Sequence, residues 1–177
     1  TVRDNHGFGT GISFDDRTFN VTEQAGPFRV ITQNTPDTWE AGSLQTVEWD
    51  VANTNLPPVA ATEVDIFLSA DGGFTYPYQL AAGVPNDGAA LITVPDTLSG
   101  TAFRYKIKAA NNVFFDINNA NITIEAVTAP GLALGTENAR AEVCAGETAI
   151  YTVQAQPILG LATAVEWEVE GLPASFS

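Results

Sequence analysis

Apolar and polar residues alternate in short runs along residues 28–126, and each run ends at turn-forming residues. This period of two predicts strands with one buried face. Val64, Ile66 and Leu68 alternate with Asp65, Phe67 and Ser69, while Val47, Trp49 and Val51 share one face of an earlier run. Phe103, Tyr105 and Ile107 point opposite to Arg104, Lys106 and Lys108. Strands are predicted at 28–33, 44–51, 62–69, 89–94, 101–109, 113–117 and 121–126. No helical spacing of apolar residues occurs, so the pattern predicts an all-β, two-sheet sandwich over residues 27–127, of immunoglobulin or fibronectin-III type. Trp49 is expected as its central core aromatic.

The flanks predict partial β-domains. Residues 1–26 read as the C-terminal hairpin of a preceding domain, with strands before Asp4 and at 18–22. The loop between them contains Gly7, Gly9 and Gly11 and is expected to hold no strand of its own. Ala25, Gly26 and Pro27 mark the boundary. Residues 127–135 lose the alternation, and Pro130 with Gly131 reads as a linker. Strands expected at 140–144, 148–155 and 163–170 then make residues 128–177 the N-terminal part of a following β-domain. Such a set is half a sandwich, whose remainder lies downstream or packs against residues 1–24. The chain thus reads as a piece of something larger, with any export signal upstream.

Charge narrows the function classes. Seven basic against 21 acidic residues leave a net charge of −14, which repels nucleic acid and anionic membrane surfaces. The acidity reads as solubility outside the cell or in salty water, or as cation binding. No apolar run approaches the ~20 residues that a spanning helix needs, so no membrane insertion is expected. Abundant Asn, Thr, Ala and Val with scarce Lys suit an extracellular β-protein, secreted or on the cell surface. The single cysteine, Cys144, cannot close an internal disulfide and is expected as a small core residue between Val143 and Ala145.

Reactive groups are scattered. His6 sits in a Gly-rich loop far in sequence from Cys144, and no nucleophile has a base beside it. The Gly7–Gly11 pattern opens no helix, so it predicts no phosphate cradle. Asp15 with Asp16, and Glu166 with Glu168 and Glu170, are paired carboxylates of the kind a glycosidase uses. The three glutamates share a strand face, with Trp167 on the other, and read as a solvated row. No catalytic residue and no cofactor is therefore expected. One ligand set has content: Asp116, Asn118, Asn119 and Asn121 crowd a turn and supply the hard oxygens calcium takes, although Asx turns explain the same residues without a metal. Asp4, Asp15 and Asp16 form a second such set. The cation row on 101–109 faces Glu63 and Asp65 if the two strands are neighbours, and reads either as cross-strand pairing or as a basic ligand-binding stripe.

Two stretches resemble known patterns. Residues 69–76, SADGGFTY, resemble the Asp-box, a structural Ser-x-Asp-x-Gly-x-Thr-aromatic hairpin found in sialidase propellers. Its Asp ties the turn and its aromatic, here Tyr76, packs back under the hairpin. A propeller would repeat the unit, and the chain carries one copy. More broadly, GPFRVITQNTPDTWEAGSLQTVEWDV, VPNDGAALITVPDT and RYKIKAANNVFFDINNANITI together resemble the immunoglobulin-like modules that follow reprolysin-like zinc protease domains in secreted multidomain bacterial proteins. VCAGETAIYTVQ is similar to the start of the next β-domain in those architectures. The resemblance implies a non-catalytic accessory module whose partners are neighbouring domains of its own chain, or an extracellular protein or glycan. The protease's three-histidine zinc motif has no counterpart here, since His6 is the sole histidine. A carbohydrate- or surface-binding adhesin module is the alternative, with Trp39, Phe67, Phe74 and Tyr78 as candidate exposed aromatics.

Overall fold

Alternation becomes strand pairing through most of the chain. The computed structural model describes residues 20–136 without a break and residues 150–162, together with 2–3, 12–13, 16, 144, 147–148, 164–166 and 168. Among the described residues every regular element is a strand. In chain order these are β1 (Val2–Arg3), β2 (Ile12–Ser13), β3 (Arg29–Val30), β4 (Asp37–Glu40), β5 (Leu44–Asp50), β6 (Glu63–Ser69) and β7 (Tyr78–Pro85). They continue as β8 (Ala89–Thr93), β9 (Gly100–Ala109), β10 (Phe115–Ile117), β11 (Ile122–Glu125), β12 (Gly131–Thr136) and β13 (Val153–Ile158).

Two sheets close over one core. The larger runs β4-β11-β9-β6-β7, with β10 also paired to β9, and the smaller runs β3-β5-β8. All these pairs are antiparallel except β11 with β4, which are parallel and set Ile122 beside Asp37 and Ile124 beside Trp39. From the small sheet Val30, Val47, Trp49 and Ile92 point inward; from the large one come Trp39, Val64, Ile66, Leu68, Phe103, Tyr105, Ile107, Ile122 and Ile124. Burying such side chains contributes about 1.5–3 kcal/mol each relative to exposure, which is what holds the two layers face to face. Trp49 lies in this core as expected, at 2% exposure.

Several expectations need correction. Strand β4 was not predicted, and β7, the return arm of the hairpin expected at the Asp71 turn, was given no range: Asp37–Glu40 has only one buried residue, and β7 is an edge strand lacking a continuous apolar face. The presumed linker at 127–135 contains β12, which pairs with β13 along its whole length, and β13 begins later than the run expected at 148–155. Pro130 with Gly131 suggested a linker, but Gly135 is where the ribbon meets the sandwich: a Cβ built there would lie 2.8 Å from Leu44 Cβ. β2 falls inside the glycine-rich loop expected to hold no strand, while residues 20–22 carry no pairing. Cys144 is exposed, not a core residue. Of the runs at 140–144 and 163–170, only 144, 164–166 and 168 are described, and none of these lies in a strand; Asp4, His6, Asp15, Trp167 and Glu170 lie outside the described residues.

Candidate functional site

The outer face of the large sheet gathers the chain's unusual side chains. Because β9 alternates, burial of Phe103, Tyr105 and Ile107 sends Arg104, Lys106 and Lys108 to the solvent side. The expected adjacency of β6 and β9 holds: Asp65 lies opposite Lys108, Phe67 opposite Lys106 and Ser69 opposite Arg104. On the other flank Phe115 lies opposite Lys108 and Ile117 opposite Lys106. Directly opposed residues share a face, so the cation row runs between an aromatic pair, Phe67 and Phe115.

Carboxylates are not the main partners of this row. The Lys106 ammonium lies 4.1 Å from the centroid of the Tyr76 ring, 5.5 Å from that of Phe67 and 5.7 Å from that of Phe115. Ring faces attract a cation through their quadrupole and leave its charge intact. Asp65 turns one oxygen to the Gly83 N–H at 2.9 Å. Arg104 donates through Nε to Asn121 Oδ1 at 2.8 Å.

Tyr76 reaches this face because the Asp71 loop folds it there. Ser69 Oγ donates to Asp71 Oδ1 at 2.6 Å, and the same hydroxyl oxygen accepts from Gly73 N at 2.8 Å. Asp71 Oδ1 also accepts from the Phe74 and Thr75 N–H groups, and Oδ2 from Thr75 Oγ1 at 2.6 Å. Hydrogen bonds from the Ser69 and Thr75 side chains, with that from Thr75 N–H, hold the Asp71 carboxyl well below the usual carboxylate range. Gly72 and Gly73 take positive φ, as the turn requires. The Tyr76 hydroxyl oxygen is covered and has no hydrogen-bond partner among the described residues, and burial pushes its ionisation upward against the pull of Arg104. Phe74 stands at the loop tip, 89% exposed.

The four residues offered as calcium ligands hold loops together. Asn118 is fully buried; its Oδ1 accepts from Tyr105 N at 2.9 Å and its amide donates to the Gln33 and Ala120 carbonyls. Asp116 Oδ2 accepts from Val30 N at 2.8 Å, tying β10 to β3 in the other sheet. Asn119 N donates to Asn34 Oδ1, and Asn121 faces a guanidinium. Three oxygens of this set, Asp116 Oδ2, Asn118 Oδ1 and Asn121 Oδ1, accept from separate N–H groups, the last from a guanidinium, and these bonds compete with gathering six to eight oxygens around one ion.

Among the candidate aromatics, Trp39 is a correction: it is 1% exposed and stacks on Tyr105 with ring centroids 6.0 Å apart. Parallel pairing with β11 draws it into the core, and its Nε1 donates to Asp37 Oδ2. Phe67 is half-buried on the outer face, and Tyr78 packs against the core. The sequence reading passed over Tyr76 and Phe115 as part of the cation row. Their signal was present, since Phe115 alternates into the face of Ile117 and Tyr76 ends the Asp71 turn. The arrangement can present positive charge beside apolar rings. No protein-family model matches the chain, and no curated protein matches it.

Proposed function

We propose that the chain is a non-catalytic module of a secreted, multidomain bacterial protein, one that spaces neighbouring domains and offers its outer sheet face to a surface ligand. The observation that carries this reading is the use made of its polar side chains. Asp71, Asn86, Asp116 and Asn118 each hold backbone or core N–H and C=O groups in place. Such commitments make a rigid sandwich and leave those groups engaged. The resemblance of residues 26–51 and 104–124 to modules beside reprolysin-like zinc proteases is the reason for naming a metalloprotease as the parent class. The adhesin reading gains from Phe74 at a braced loop tip and from the Lys106 rings.

The experiment attaches donor and acceptor fluorophores at residues 21 and 128 of the 177-residue chain. A single narrow transfer efficiency, constant in urea up to the cooperative unfolding transition, is the expected result for a spacer. A broad efficiency in buffer, or saturable turnover of a peptide or glycoside by the purified chain, overturns the reading.

A further inference from the structure

We propose that the strip along Arg104, Lys106 and Lys108 binds a linear polyuronate, a polysaccharide carrying a carboxylate on each sugar. The proposal deepens the surface-ligand part of the reading above and rests on it. Three of the chain's seven basic residues point from one strand face in a molecule of net charge −14. Side chains two apart on a strand are about 6.8 Å apart, so the row tracks roughly 13–14 Å of a polymer.

None of the three is held in an ion pair among the described residues. The one carboxylate opposite the row, Asp65, is tied to Gly83 N–H. Arg104 is oriented by its Nε bond to Asn121, which leaves the two terminal nitrogens of the guanidinium as a fork matched to a carboxylate. Lys106 is steadied by three rings that do not neutralise it. Phe115, 53% exposed beside Lys108, adds an apolar surface for the C–H face of a sugar ring.

Charge selects the occupant. A globular acidic partner, or a second copy of this chain, would bring its own negative surface within the ~8–10 Å screening length of the acidic residues around the strip. A single polymer strand can follow the row itself, where Asp65 is the one carboxylate directly opposite a cation. Neutral glycans would use the rings and ignore the row.

The test is affinity electrophoresis of the 177-residue chain through gels containing polygalacturonate, heparin or dextran at about 50 mM salt. Retardation by polygalacturonate, absent with dextran and lost as salt rises to about 200 mM, is expected. The triple variant R104Q/K106Q/K108Q should raise the apparent Kd at least tenfold with an unchanged circular dichroism spectrum. Because Lys106 also packs on rings, K108Q alone is measured as well; among the described residues Lys108 has no ring contact of this kind, and its loss should raise Kd several-fold in a fully folded chain. Lack of retardation by polygalacturonate, retained retardation in both variants, or stronger retention by heparin than by polygalacturonate each overturns the proposal. Fluorophore separation does not depend on these outcomes, so failure here is distinct from failure of the spacer reading.

Discussion

Trp49 Nε1 donates to Asn86 Oδ1 at 2.8 Å within the core, and Asn86 answers with its amide to the Ala61 carbonyl at 2.8 Å and to Thr54 Oγ1 at 3.1 Å. One side chain from the loop after β7 thus anchors the central tryptophan of β5 and closes the 51–61 loop. Replacing Asn86 by Ala orphans the indole N–H and the Ala61 carbonyl, each at a cost of about 1–3 kcal/mol. A loss of about 3 kcal/mol in urea unfolding is expected. Asn86→Asp should be worse, because a carboxylate donates no N–H and its charge would be buried. An Asn86→Ala midpoint equal to that of the parent would refute the anchoring role.

Where burial followed strict alternation, the strands could be read from the residues alone: β6 and β9 each carry three or more apolar side chains on one face, and β5 carries Val47 and Trp49, with Val51 just beyond it. β4 could not, because Asp37–Glu40 gains its place from a parallel neighbour that lies 85 residues on. The extent of β7, the return arm of the Asp71 hairpin, was hidden for a different reason: as an edge strand it needs no apolar face, and bulges against β6 break its period. Asn118 looked like a metal ligand because the oxygens that close an Asx turn also suit calcium. Its burial beneath Tyr105 is a tertiary fact with no local sequence signature. The cation row was visible in the sequence, yet its ring partners come from β6, β10 and the Asp71 loop, which only pairing brings together.

Asp71 makes stability depend on acid pH. Its carboxyl is depressed in the folded state, so it contributes in full above the unfolded value of ~3.9, and the contribution fades as pH falls through the lower folded value. Asp71→Ala should therefore lower the melting temperature at pH 7 and by a similar amount at pH 5. The gap between parent and variant should narrow on acidification below about pH 4. A gap that widens toward low pH would contradict the hydrogen-bond account.

Tyr105 should act at the opposite end of the scale. Its phenol is pushed far up, chiefly by burial and further by Glu48 and Asp116, with the Thr32 hydrogen bond pulling the other way. The folded chain then keeps a proton that the unfolded chain loses near pH 10, so this stability is present below pH ~10 and declines above it. Tyr105→Phe should cost about 1 kcal/mol at pH 7, from loss of the bonds to Thr32 and Gln33. The variant's alkaline decline should also be shallower, measured by urea midpoints between pH 8 and 11.

Gly135 decides whether the β12–β13 ribbon stays docked on the sandwich. A Cβ there would meet Leu44 Cβ at 2.8 Å and the Leu44 and Leu91 Cδ1 atoms at 3.1 Å, while Ile158 at the other end of the ribbon is buried against Gly42. Backbone strain is not at issue, since no positive φ marks Gly135, so the effect of a side chain is steric alone. Gly135→Val should cost about 1–3 kcal/mol of ribbon docking by overpacking. It should raise amide exchange across Gly131–Thr136 and Val153–Ile158 while leaving β6 and β9 as protected as before. Faster exchange in β6 and β9 as well would mean that ribbon and sandwich unfold as one unit, and unchanged exchange everywhere would mean that Gly135 makes no close contact with β5.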